Sequence, residues 1–108
     1  MQWENVCRID DILPNSGVAA LVQGRQVAVF RTSEAVYAIS NYDPFSKAYV
    51  LARGLVGDRK GVLKVASPIY KQSFSLSTGE CLDDPSVRLP TYAVEVVDNI
   101  IRIGVPKD

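Results

Sequence analysis

The stretch Val62-Leu63-Lys64-Val65-Ala66-Ser67-Pro68-Ile69-Tyr70-Lys71-Gln72-Ser73-Phe74-Ser75-Leu76-Ser77-Thr78-Gly79-Glu80 holds the architecture in miniature. A short strand, Val62 to Ala66, runs into a proline loop, Ser67 to Gln72. Alternating Ser73-Phe74-Ser75-Leu76 then reads as a second strand with one buried face. It meets Ser77-Thr78-Gly79-Glu80, a turn in which glycine can take the left-handed conformation. Upstream, Asn41-Tyr42-Asp43-Pro44-Phe45 is another proline loop beside a strand. Two such loops in one small β unit are expected side by side at one tip.

The same short-strand pattern extends in both directions. Val18 to Val22 and Gln26 to Arg31 are apolar runs joined across Gln23-Gly24-Arg25 as a hairpin. Val36-Tyr37-Ala38-Ile39 follows the polar turn Thr32-Ser33-Glu34. Near the other end, Tyr92, Val94 and Val96 alternate with Ala93, Glu95 and Val97, and Ile101, Ile103 and Val105 alternate with Arg102 and Gly104. Asp98-Asn99 between them suits a tight turn, because Asn and Asp tolerate positive φ. Helical signal is thin. Ile9 to Leu13 can form one turn before Pro14 stops it. Ser46 to Leu55 has Ala48, Leu51, Ala52 and Leu55 at helical spacing, limited by Gly54 and Gly57 to a short element. The expectation is an all-β sandwich or barrel of short antiparallel strands, residues 1–108 as one domain, with one long central loop region.

Composition narrows the partners. Twelve basic residues balance twelve acidic ones, so the positive field of a non-specific nucleic-acid binder is missing. The same balance argues against an anionic membrane surface. No run approaches the ~18 apolar residues of a spanning helix, and Met1 to Asn5 lacks the marks of a secretory signal. A cytoplasmic protein is expected. Cys7 and Cys81, far apart and without any histidine in the chain, read as small reduced hydrophobes rather than a disulfide, a redox thiol or a metal pair.

The order of elements, the two proline loops, and Phe74-Ser75-Leu76-Ser77-Thr78-Gly79-Glu80-Cys81 followed by Leu89-Pro90-Thr91-Tyr92 resemble the Rieske ferredoxin-like fold. Over nearly the whole chain the closer resemblance is to the small subunit of the NADH-dependent assimilatory nitrite reductase, the NirD family. It is carried by Trp3 to Cys7, Ile9-Asp10-Asp11-Ile12-Leu13-Pro14, Gly17-Val18 and Gln26-Val27-Ala28-Val29-Phe30-Arg31. Ala38-Ile39-Ser40-Asn41, Asp43-Pro44-Phe45 and Val50-Leu51-Ala52-Arg53-Gly54-Leu55 continue it, and Val65-Ala66-Ser67-Pro68 with Lys71-Gln72 completes it. A Rieske centre takes a Cys-x-His and a Cys-x-x-His pair, two imidazoles replacing two thiolates on one iron. Here Asp43 and Phe45 fill the first spacing, Ser67 and Tyr70 the second, and that set cannot reproduce the ligands.

The resemblance implies a non-redox accessory subunit in nitrate assimilation. FAD, an iron–sulfur cluster and siroheme are expected on the large subunit, a siroheme flavoprotein that reduces nitrite to ammonium; none is expected on this chain. Preference for NADH or NADPH would belong to that large subunit. The candidate partner interface is Asp43, Phe45, Arg53, Ser67, Tyr70, Lys71 and Gln72. Phe45 is expected to plug the vacated cluster pocket, whereas Tyr70 suits either packing or a partner surface. Arg53 and Lys71 suit solvent or salt bridges to the large subunit. The acids Asp43, Asp10, Asp11 and Glu80 are expected as solvated loop residues rather than metal ligands. No nucleophile motif, P-loop or dinucleotide fingerprint is present, so no catalytic residue is assigned. Two other readings are a free-standing cluster-free module that binds protein or a small ligand, and an electron carrier with an unusual cluster.

Overall fold

A computed structural model describes residues 1–33 and 35–106. The described residues include eleven strands and two single 3-10 turns, Ile9–Asp11 and Leu51–Arg53. The strands are β1 (Gln2–Arg8), β2 (Ser16–Val22), β3 (Arg25–Arg31), β4 (Val36–Ser40), β5 (Tyr42–Asp43), β6 (Ala48–Tyr49), β7 (Leu55–Arg59), β8 (Val62–Ala66), β9 (Ser73–Ser75), β10 (Thr91–Val97) and β11 (Ile100–Val105). Six of them form one antiparallel sheet in the order β1-β11-β10-β4-β3-β2, while β7-β8-β9 form a small sheet and β5-β6 a two-stranded one. The all-β expectation holds, and with it the two-loop tip described below.

Three hairpins use the same turn. Gln23-Gly24, Lys60-Gly61 and Asp98-Asn99 all have positive φ at both positions, between 50° and 86°. They close the pairs Val22↔Arg25, Arg59↔Val62 and Val97↔Ile100. Two left-handed residues in a two-residue loop give the twist that matches paired strands. Of the turn expected at Thr32-Ser33-Glu34, Glu34 lies outside the described residues; Thr32 and Ala35 bond each other across it.

β3 explains why there are two cores. Its run Val27-Ala28-Val29-Phe30 is fully buried, so successive side chains serve opposite faces of the sheet. Val27 and Val29 join Ile12, Val22, Ala38, Ile101, Ile103 and Val105 inside the curl of the large sheet. Ala28 and Phe30 join Ile39, Leu51, Val65, Phe74, Leu76, Cys81 and Leu89 between the large and small sheets. Fully burying a side chain such as Phe30 or Phe74 contributes about 1.5–3 kcal/mol. The second core fixes the small sheet, and hence the tip, against the large one.

The middle of the chain departs from expectation. β8 and β9 fall where strands were expected, but β7 and the β5-β6 pair occupy what was expected as loop, and the helical spacing in 46–55 yields only a 3-10 turn at Leu51–Arg53. Leu51 and Ala52 face the core, but Leu55 is 77% exposed. The break falls at Gly54, whose backbone is extended. A Cβ there would lie 2.3 Å from the Ala66 carbonyl oxygen, so glycine lets β7 begin tight against β8.

Candidate functional site: a two-loop tip closed by a hydrogen bond

The two proline loops are copies of one local design. Asp43-Pro44-Phe45-Ser46-Lys47 and Ser67-Pro68-Ile69-Tyr70-Lys71 each start with a short polar residue whose side chain accepts from the amide two residues on: Phe45 N–H to Asp43 Oδ1 at 2.9 Å, Ile69 N–H to Ser67 Oγ at 3.3 Å. Proline follows, presetting φ for the turn. The lysine amide four residues on then returns to the first residue's carbonyl, Lys47 to Asp43 at 2.7 Å and Lys71 to Ser67 at 3.1 Å. Both lysines are left-handed, with φ of 58° and 65°. The spacing polar-Pro-x-x-Lys was readable in both loops, and reading the loops separately misses it.

The first residues of the two copies meet. Ser67 Oγ–H donates to Asp43 Oδ2 at 2.5 Å, and Ser46 Oγ–H donates to the same oxygen at 2.8 Å. Asp43 is 0% exposed and Ser67 2%. The expectation of a solvated Asp43 is thus corrected: its oxygens satisfy donors from both loops, the condition on which an acid can be buried. Asp10 and Asp11 are exposed as expected but sit in the 3-10 turn Ile9–Asp11, where Asp11 Oδ2 accepts from Arg8 N–H, and Glu80 is half-buried beside Arg88.

The other expected site residues divide. Phe45 is half-buried on the second core, its ring 6.1 Å from that of Phe74. Tyr70 is 61% exposed, and Lys71 and Arg53 are exposed. Gln72 is half-buried, and its Oε1 is buried without a hydrogen-bond partner. The structure therefore brings Asp43 and Ser67 together beneath the surface, seats Phe45 half-buried on the second core, and leaves Arg53, Tyr70 and Lys71 exposed. Asn41 is a residue whose role the sequence did not reveal. It is buried, its Oδ1 accepts from Ala52 N–H at 2.7 Å, and its carbonyl accepts from Leu51 N–H, tying the first loop to the 3-10 turn.

A [2Fe–2S] centre does not fit these residues. The positions that the resemblance equates with its ligands hold a carboxylate and a hydroxyl hydrogen-bonded to each other, a phenyl ring without a donor atom, and an exposed phenol. Cys81 is buried in the second core, and Cys7 is half-buried on β1, where burial and then nearby Asp11 push its thiol up. Among the described residues no group of three or more His, Cys, Asp or Glu could hold a metal ion, and no helix is long and apolar enough to cross a membrane.

Comparison with known proteins agrees with the fold. Residues 2–104 match the Rieske-like [2Fe-2S] domain family. The nitrite reductase (NADH) small subunit of Salmonella typhimurium is 50% identical over 104 residues, 94% of this chain and 96% of that one. The NMR structure of the Escherichia coli protein NirD superposes with a TM-score of 0.87 at 47% identity, covering 94% of each chain. A nitrite reductase [NAD(P)H] large subunit from Klebsiella oxytoca contains a segment 37% identical over 102 residues, 94% of this chain and 11% of that protein. On fold, on near-complete coverage and on identity, the chain belongs to the nitrite reductase (NADH) small-subunit family, within the Rieske-like domains.

Proposed function

We propose that residues 1–108 act as a single domain, the small non-redox subunit of a cytoplasmic NADH-dependent nitrite reductase. It supports the reduction of nitrite to ammonium in nitrate assimilation, with FAD, an iron–sulfur cluster and siroheme all on the large subunit. The observation that carries the non-redox reading is the Ser67–Asp43 hydrogen bond. It joins the two loops where a cluster would otherwise bridge them, so the tip keeps its shape through protein groups alone. Catalytic chemistry is left to the partner's cofactors, and this chain contributes binding and orientation.

The large-subunit relative from Klebsiella oxytoca supports the pairing, since there a matching segment lies on the same polypeptide. That arrangement argues for one small subunit per large chain. Free Cys7 and Cys81 suit a reducing compartment. Phe45, Arg53, Tyr70, Lys71 and Gln72 form the partner-facing tip, which Asp43 and Ser67 hold from beneath. The test is NADH-dependent nitrite reduction by purified large subunit, titrated with this protein, alongside iron and acid-labile sulfide analysis of the small chain. A saturable rise with neither iron nor sulfide on the small chain is the expected result. Stoichiometric iron and sulfide would overturn the non-redox reading; no rise and no binding would overturn the subunit reading in favour of a free-standing binding module.

A further inference from the structure

The chain is neutral as a whole, but its charge is segregated. Residues 44–79, which hold the small sheet and both loops apart from the buried Asp43, contain six Lys or Arg and only one acid, Asp58, for a net +5. The remaining residues carry the opposite −5. Within the positive part, strand pairing settles which side chains share a face. Leu55↔Ala66, Gly57↔Lys64 and Arg59↔Val62 pair across β7 and β8, and Lys64↔Ser75 and Ala66↔Ser73 across β8 and β9. Directly paired residues lie on one side of an antiparallel sheet. Val56, Leu63, Val65 and Phe74 take the inner side against the second core. The outer side therefore presents Leu55, Gly57, Arg59, Lys64 and Ala66.

That outer side is a groove of about 350 Å³, bordered at one end by Ser67, Pro68 and Lys71 of the second loop. Lys64 lines it beside Ala66 and Ser73, and its side chain passes Gly57, where a Cβ would be 3.5 Å from Lys64 Cε. Arg59 is held at the rim by Asp83, 3.0 Å away, and bonds Ser73 Oγ. Among the described residues no carboxylate lies within salt-bridge distance of Lys64 or Lys71, although Lys64 is near enough to help Arg59 hold the Asp83 carboxyl down. Leu55 stands exposed beside them.

We propose that this outer face of the small sheet, continuous with the second loop of the tip at Lys71, docks a carboxylate-bearing segment of the nitrite reductase large subunit. Acidic side chains of that segment meet Lys64 and Lys71, and an apolar side chain covers Leu55. The proposal rests on the subunit reading above and names the chemistry and place of the contact. A positive face that pairs with carboxylates also steers encounter, so association should be strongly salt-dependent.

The test measures affinity of the purified large subunit for this chain by calorimetry at low and raised salt. Lys64→Glu and Lys71→Glu together should weaken binding on the order of a hundredfold, with Leu55→Ser costing several-fold. Lys64→Gln should fall between wild type and Lys64→Glu, and it keeps the result readable if the glutamate disturbs the strand. Lys60→Glu, the same charge change on the exposed hairpin turn, should alter affinity less than about threefold, since it does not line the groove. If wild type binds and the groove variants bind equally well, the proposal is overturned while the subunit reading stands. If wild type does not bind the large subunit, both fall. If instead the chain self-associates and Lys64→Glu abolishes only that, the occupant is a second copy and the proposal is overturned.

Discussion

Replacing Asp43 with alanine removes the acceptor for three donors at once: Phe45 N–H, Ser46 Oγ–H and Ser67 Oγ–H. The half-buried Ser46 hydroxyl can turn toward water. The other two cannot do so cheaply, and an unsatisfied buried donor costs about 1–3 kcal/mol. The expected loss is therefore about 3–4 kcal/mol, a large share of the ~5–15 kcal/mol by which domains are folded. It corresponds to a fall in melting temperature of about 10–25 °C. Ser67→Ala deletes one donor and leaves Asp43 the other two, so it should cost only about 1–2 kcal/mol. Asp43→Asn should be milder than alanine, because Oδ1 still accepts from Phe45 and both hydroxyls can rotate to accept from the new amide. Urea unfolding followed by far-ultraviolet circular dichroism and Trp3 fluorescence measures all three, and the double variant closes the cycle. A coupling of about 1–2 kcal/mol between positions 43 and 67 is expected. Additivity within about 0.3–0.5 kcal/mol would refute the reasoning, since independent sites behave that way and a shared tie does not.

Gly79→Ala should be among the most damaging single changes, because φ is +78° and the new Cβ would lie 2.1 Å from the Leu89 carbonyl oxygen; loss of a cooperative thermal transition would show it. The acid limb of the stability curve has an identified contributor in Asp83. Its carboxyl is held below the usual range first by the Ser73 amide and then by Arg59. A depressed folded-state value means stability that is present above pH about 4 and lost as pH falls through the lowered pKa. Asp83→Asn should flatten that limb while costing only a few tenths of a kcal/mol at neutral pH, the scale of an exposed pair; an unchanged acid slope would remove Asp83 from the account. Cys7 should react with iodoacetamide at pH 8 more slowly than free cysteine, since burial and Asp11 raise its thiol, and buried Cys81 should stay unmodified until urea unfolds the chain.

What the sequence revealed, and what it hid, follows the range of the forces involved. Alternation in 92–105 and the Asp98-Asn99 turn are local signals, and the structure keeps both. Leu55–Arg59 was hidden because Leu51, Ala52 and Leu55 fit a helical face; only the close approach of Gly54 to Ala66 shows that the chain must straighten there. Asp43 was hidden for a different reason. An acid in a loop defaults to solvent, and the donor that makes its burial tolerable lies on another loop. The paired prolines were legible, but a left-handed lysine closing each loop is not implied by residue type. Counting charge over the whole chain also cancelled two opposite poles that become visible only when residues 44–79 are taken by themselves.

The outermost strand, β1, has β11 as its only neighbour in the large sheet, with Gln2 opposite Val105. On the ribosome, then, β1 must wait for β11. At ~5–20 residues per second the interval is roughly 5–20 s, during which Trp3 and its neighbours lack their partner. The local hairpins can close within microseconds meanwhile. A nascent chain should therefore hold its central strands early and seal this edge late, so β1 is the strand of this sheet most in need of shelter during synthesis.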